Sequence, residues 1–154
     1  LSLFITFTVA YSGRYNVKNK RKYEGDHAKV KYRSLWERQA FKWLDNHKDV
    51  VGWSSEQIIV PYRCKTDGKV HRYFVDLFIR MKDGRTYLIE IKPDKQTRPP
   101  KKRSRKTKKY LTEVMTYAKN QSKWEAAQAY ANKRGLIFQV WTENTLRDLG
   151  IKIL

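Results

Sequence analysis

Cysteine is almost missing from this chain of 154 residues. Cys64 stands alone, so neither an internal disulfide nor a cysteine-based zinc site can be built. Histidine is nearly as scarce: His27, His47 and His71 are too scattered in sequence for a local histidine metal motif. No apolar run reaches the roughly 18 residues that a membrane-spanning helix needs. Acidic residues are few as well, 15 Asp and Glu against 34 Lys and Arg. What is present suffices for one packed core. Hydrophobic residues make up 40% and aromatics 14%, too much for a disordered tail, and the length suits a single domain. The chain reads as a small, reduced, very basic globular protein.

The formal net charge is +19. Charge of one sign repels itself in a compact state, so an excess this large points to a polyanionic partner. The excess is clustered. One cluster comprises Lys95, Arg98, Lys101, Lys102, Arg103, Arg105, Lys106, Lys108 and Lys109, with no acid between residues 95 and 109. A second lies between residues 14 and 33 and includes Arg14, Lys20, Arg21, Lys22 and Arg33, diluted by Glu24 and Asp26. Such runs indicate phosphate contacts with nucleic acid, the alternative being a merely solvated surface. An anionic membrane is disfavoured, because neither run carries a sustained apolar helical face.

Residues 1–10 are apolar but lack the charged start and small-residue cleavage end of a secretory signal. They read as an upstream extension or start-site artefact, or else as an N-terminal strand. Residues 11–33 read as a basic, Tyr-rich irregular arm, and residues 34–154 as a single domain. Ser34 as N-cap and the apolar stripe of Leu35, Trp36, Phe41, Trp43 and Leu44 predict a helix over 34–47. Residues 50–62 predict a strand, or two strand pieces, ending at Pro61. Residues 70–81 predict the next strand. Asp83-Gly84 is a hairpin signal, and residues 86–92 predict a third strand stopped by Pro93. Residues 93–109 form a long basic loop containing Pro99-Pro100. Tyr110, Leu111, Val114, Met115 and Ala118 share one helical face. Ser122 with Glu125 predicts the start of a second helix through Arg134, ended by Gly135. A strand over 136–141 and a short helix capped by Thr142 complete an α/β architecture, with a mixed sheet flanked by helices.

With acids so scarce, their positions are informative. Asp76 lies in an apolar strand, while Glu90 and Lys92 lie near the end of the next. Residues two apart on a strand share a face, so Glu90 and Lys92 point the same way. Asp76 and Glu90 are each seven residues from Asp83 in the turn, which places them at matching heights. Two carboxylates on adjacent strands suit a hard divalent cation, and a lysine beside them can orient an attacking water and offset charge on a phosphate. Each residue alone also has a structural reading, as a strand-end acid or a cross-strand charge partner. Glu37 is divided between a capping box with Ser34 and a helix-borne approach to the same cation.

This set, Glu37, Asp76 and Glu90-Ile91-Lys92, resembles the PD-(D/E)xK nuclease superfamily, with its restriction-endonuclease-like core of helix, three-stranded meander, helix and strand. More narrowly, Tyr11-Ser12-Gly13-Arg14-Tyr15, Tyr32-Arg33-Ser34-Leu35-Trp36-Glu37, Ile89-Glu90-Ile91-Lys92-Pro93 and Trp141-Thr142-Glu143 resemble the head-completion nucleases of T4-like bacteriophages. That family is related to the N-terminal nuclease domain of the Tn7-type transposase subunit that cuts 5′ ends. Val75 departs from the pattern, standing where the superfamily name has Pro.

The resemblance implies a Mg²⁺-dependent DNA endonuclease in which Mn²⁺ can substitute. Asp76, Glu90 and the Ile91 carbonyl would hold the metal. Lys92 would position the hydroxide, and Glu37 would assist through metal or water. It further implies action on double-stranded DNA in the virion and host cytoplasm, with capsid or portal-neck partners and no membrane. No helix-turn-helix or zinc-finger spacing supplies base readout, so little sequence specificity is expected. A non-catalytic basic DNA-binding protein of the virion is the alternative, and a ribosomal-type RNA-binding protein a third reading. Lys119, Gln121 and Lys123 are candidates to touch DNA near the break between the two helices. Glu56 and Gln57, on the first strand, could approach the metal but are assigned to an exposed strand face, His71 to a strand surface and Cys64 to an unreactive strand position. Trp36, Trp43, Trp124 and Trp141 are assigned to the core.

Overall fold

The computed structural model describes residues 11–153. Residues 1–10, read above as an extension or a strand, lie outside the described residues. In chain order the strands are β1 (Gly13–Arg14), β2 (Lys31–Tyr32), β3 (Val50–Ser55), β4 (Ile59–Arg63), β5 (Val70–Phe74), β6 (Leu77–Met81), β7 (Thr86–Ile91) and β8 (Ile137–Trp141). The helices are α1 (Leu35–Asn46), α2 (Lys108–Arg134) and α3 (Glu143–Asp148). The central sheet has the order β3-β6-β7-β8, antiparallel except for the parallel β7–β8 pair. It is a mixed sheet flanked by helices, consistent with a restriction-endonuclease-like fold.

Alternation along the strands sorts side chains to two faces. Leu77, Ile79 and Ile89 join Ala40, Phe41 and Leu44 of α1 in one core, around the fully buried Trp53. Leu88 instead joins Trp124, Ala127 and Ala131 of α2 in a second core, together with Tyr73 and Val75. Glu90 shares parity with Leu88 and so falls on the α2 side.

The segment 70–81 is two strands rather than one. β5 pairs with β4 in a separate two-stranded sheet, whereas β6 pairs with β3 and β7. The chain changes sheets at Val75 and Asp76. There Val75 N–H donates to Ile58 O (3.0 Å), and Asp76 O accepts from Glu56 N–H (3.3 Å). Glu56 and Gln57 accordingly lie in the connection between β3 and β4, with Glu56 at a left-handed φ of 55°. Pro61 sits inside β4 opposite Arg72 instead of ending the strand, which a two-stranded edge tolerates.

The expected helix pair is likewise one helix of 27 residues. Ser122 does not start a second helix. Its hydroxyl donates back to Ala118 O (3.1 Å) within α2 and accepts from Lys65 N–H (3.2 Å) across to the hairpin. Thr107 caps the true N-terminus, and Gly135, at φ 68°, ends the helix in the left-handed region.

The segment 11–33 is short-elemented but packed down. Val17, Tyr23 and Val30 are buried in the α1 core. The completely buried carboxylate of Asp45 on α1 holds it, accepting from Tyr15 Oη–H (2.9 Å), Lys18 N–H (2.7 Å) and Asn19 N–H (2.9 Å).

Candidate functional site

The Asp83-Gly84 turn sets the β6–β7 register at Leu77 opposite Ile89, so the next pair outward is Asp76 and Glu90. The break in the ladder frees the Ile91 N–H, and Asp76 Oδ2 accepts it at 2.7 Å. Asp76 keeps some surface while the packing around it is dense. Burial first, then the adjacent Glu90 charge, hold its carboxyl well above the usual carboxylate range, and the Ile91 bond opposes them. Glu90 is buried, and its Oε2 accepts Nε1–H of Trp124 at 2.9 Å. The Tyr73 hydroxyl is buried beside Glu90 without a hydrogen bond of good geometry, and burial and the two carboxylates push its phenol up.

Two crowded carboxylates, Glu90 buried and Asp76 densely packed, with a facing orphan hydroxyl are costly unless a cation offsets them. The donor set is all oxygen, which fits a hard divalent ion. The other group of metal-ligating types among the described residues is Cys64, Asp67 and His71 at the β4–β5 turn, with ligand atoms within 4.8 Å of one another. There Asp67 and His71 pair with each other at 2.7 Å, while Cys64 is buried just beyond the end of β4.

Glu37 sits in the first turn beside the Ser34 cap, but its carboxylate takes the Ser34 hydroxyl and the Arg33 N–H instead of the Ser34 N–H that the expected capping box would use. Its N–H donates to Ser34 Oγ and its Oε2 accepts from Ser34 Oγ–H, both at 3.2 Å, while Oε1 accepts Arg33 N–H at 3.4 Å. Its charge nevertheless reaches Asp76 and raises the Asp76 carboxyl further. Burial raises Glu37 itself, against the hydrogen bonds from Arg33 and Ser34. Glu37 and Lys92 line one cleft of about 510 Å³ with Arg33, Ile91 and Gln96; Asp76 and Glu90 are not among its lining residues.

A second cleft, about 500 Å³, also touches Gln96 and runs between the basic loop and α2. Lys95, Arg98, Arg103 and Lys109 line it, along with Tyr117 and Asn120. Lys101, Lys102, Arg105, Lys106 and Lys108 are exposed on the same loop and the start of α2. Arg98 also forms an ion pair with Asp94.

The N-terminal basic cluster does not act as one surface. Arg14, Lys20 and Arg21 are exposed. Lys22 is turned inward, its Nζ donating to Asp45 O (3.1 Å) and His47 O (2.9 Å) at the end of α1, which makes it a helix cap instead of a free phosphate contact. Arg33 holds Glu56 through Nε and Nη2 at 2.8 and 3.2 Å.

The residues that sequence reasoning missed come from outside the strand pair. Trp124 reads as core and is core, but its indole N–H also fixes Glu90. Tyr73 is three residues before Asp76, and no periodic signal marks it as part of the site. Lys123, which the sequence does mark as a candidate DNA contact, comes from the middle of an unbroken α2 and lies with Nζ 5.5 Å from the centroid of the Tyr73 ring.

Residues 47–143 match the family described as TnsA-like endonuclease N terminal. Over 148 residues, covering 94% of this chain and 99% of the relative, the sequence is 44% identical to the head completion nuclease of Enterobacteria phage T4. The matched region holds Asp76, Glu90, Lys92 and the long basic loop, and with that the chain belongs to the family of TnsA-like endonuclease N-terminal domains.

Proposed function

We propose that this protein is a Mg²⁺-dependent endonuclease that hydrolyses phosphodiester bonds of double-stranded DNA with little sequence specificity, in phage head completion. The observation that carries the reading is the Asp76–Glu90 pair at facing register positions, with Lys92 two residues on. The T4 relative is named for head completion, which supports the biological setting and makes capsid or portal-neck proteins the partners to test.

Asp76, Glu90 and the Ile91 carbonyl would hold the cation, with Glu37 at the edge of the same site. A divalent ion there supplies Lewis-acid polarisation of the phosphate and of the attacking water. The protein's own groups do the rest. Lys92 orients the water and offsets charge developing on the phosphate. The basic loop holds the DNA backbone along the cleft between itself and α2, fixing position without reading bases.

The direct test is nicking of supercoiled plasmid by the purified protein in Mg²⁺, against EDTA and against Glu90→Ala. Cutting that needs metal and disappears in the variant is expected. Lys92→Ala is expected to slow cleavage about 100-fold while Mn²⁺ still binds. Tight binding with no cutting in either Mg²⁺ or Mn²⁺ would turn the reading to a non-catalytic DNA-binding protein.

DNA affinity is expected to fall steeply with salt. Neutralising Lys101, Lys102, Arg103 and Arg105 together should lower the slope of log K against log salt by about 0.9 for each phosphate contact removed. An unchanged slope, measured by titration across several salt concentrations, would remove the loop from the interface.

A further inference from the structure

Helix α2 meets the carboxylate pair at Trp124, and Lys123 is the residue before it. Trp124 is buried and donates to Glu90, which locks the helix against β7 at that point. Adjacent helical positions are about 100° apart, so Lys123 is carried to the rim of the same contact. It is half-buried against the Tyr73 ring. The charges that act on it are the attracting Glu90 and Asp76 and the repelling Lys119 and Lys92. No ion pair among the described residues includes Lys123.

A lysine ammonium carries three donors, and ordering its stem costs about 2 kcal/mol of rotamer freedom. Placing it half-buried beside an acidic centre, without closing an ion pair, leaves those donors for an incoming anion. The Tyr73 ring face attracts the ammonium itself without taking a hydrogen bond from it. The anion that belongs at a pair of carboxylates with a cation is a phosphodiester.

We propose that Lys123 is a second substrate-contacting cation of this site, binding the scissile phosphodiester from α2 as Lys92 does from the end of β7. The inference rests on the nuclease reading above. It assigns to α2 a direct part in handling the substrate, beyond covering the sheet.

The test compares Lys123→Met, Lys123→Arg and Asp76→Asn in three measurements: thermal unfolding, Mn²⁺ binding by calorimetry without DNA, and single-turnover cleavage with protein in excess. Lys123→Met is expected to bind Mn²⁺ at least as tightly as the parent, since a like charge has been removed. Its cleavage rate is expected to fall about 100-fold, and Lys123→Arg is expected to recover most of the loss. Cutting by Lys123→Met at the parental rate, with Asp76→Asn inert, overturns the inference and leaves the nuclease reading intact. Loss of Mn²⁺ binding together with cleavage also overturns it, because Lys123 would then act only through the carboxylates. Parental cutting by Asp76→Asn overturns both. Should Lys123→Met fail to fold, Lys123→Gln in the same assays decides between these outcomes.

Discussion

Asp76→Asn is expected to abolish DNA cleavage, by about 1,000-fold or more, and at the same time to raise the melting temperature of the metal-free protein at neutral pH. The loss follows from removing one of two facing carboxylates. The gain follows from what that carboxylate costs when no cation is bound. Asp76 is held well above its ordinary value of 3.8 by burial and by the Glu90 charge. A folded-state pKa above the unfolded one means the fold prefers the protonated form. The contribution to stability is therefore complete below the unfolded pKa and is lost as pH rises through the folded one. As pH rises toward and through that folded value, the metal-free parent bears a growing share of the loss.

Asparagine is nearly isosteric with aspartate. Its carbonyl can still accept the Ile91 N–H, and its amide can donate to Glu90. The variant should accordingly melt above the parent in EDTA at neutral pH, with the difference shrinking in acid. Mg²⁺ should stabilise the parent and not the variant. A variant that melts at or below the parent in EDTA would show that the carboxylate pair is not under strain.

Asp45→Ala is expected to cost about 3–5 kcal/mol, a large share of the 5–15 kcal/mol typical of a domain. Its carboxylate is completely buried and satisfies two backbone N–H groups and a tyrosine hydroxyl at once. Truncation leaves Lys18 N–H, Asn19 N–H and Tyr15 Oη–H, all in partly buried bonds, without their acceptor, and an unsatisfied donor costs up to about 1–3 kcal/mol where water cannot reach it. The segment that these bonds hold also supplies Val17 and Tyr23 to the α1 core and leads into Arg33 and the Ser34 cap. Urea denaturation measures the loss, and hydrogen exchange at the Lys18 and Asn19 amides locates it. Asp45→Asn, which keeps one acceptor oxygen, should fall between parent and Ala. Parental stability in Asp45→Ala would mean that the segment is held by its apolar contacts alone.

The sequence by itself determined the features whose causes lie within a few residues of their effects. Ser34 caps α1 by accepting the Glu37 N–H because both ends of the bond sit in one helical turn. The Asp83-Gly84 turn sets the β6–β7 register, and the period of two then brings Asp76 opposite Glu90, so the pair could be counted out from the turn. Gly135 and Thr142 mark a helix end and a helix start for the same local reasons.

Only the tertiary structure decided the rest. Nothing near Val75 announces a change of sheet, because that change is driven by which sheet each half of the strand can pair with, a choice made by distant partners. Ser122 is a good cap in isolation, but its hydroxyl is satisfied within the helix and by Lys65, so α2 runs on unbroken. Lys22 counts as surface charge in the composition, yet two carbonyls at the end of α1 draw it inward. Trp124 reaches Glu90 across 34 positions of sequence. Such contacts form where packed elements meet, and their rotation and height are set by the summed shape of the core, a quantity no local pattern carries.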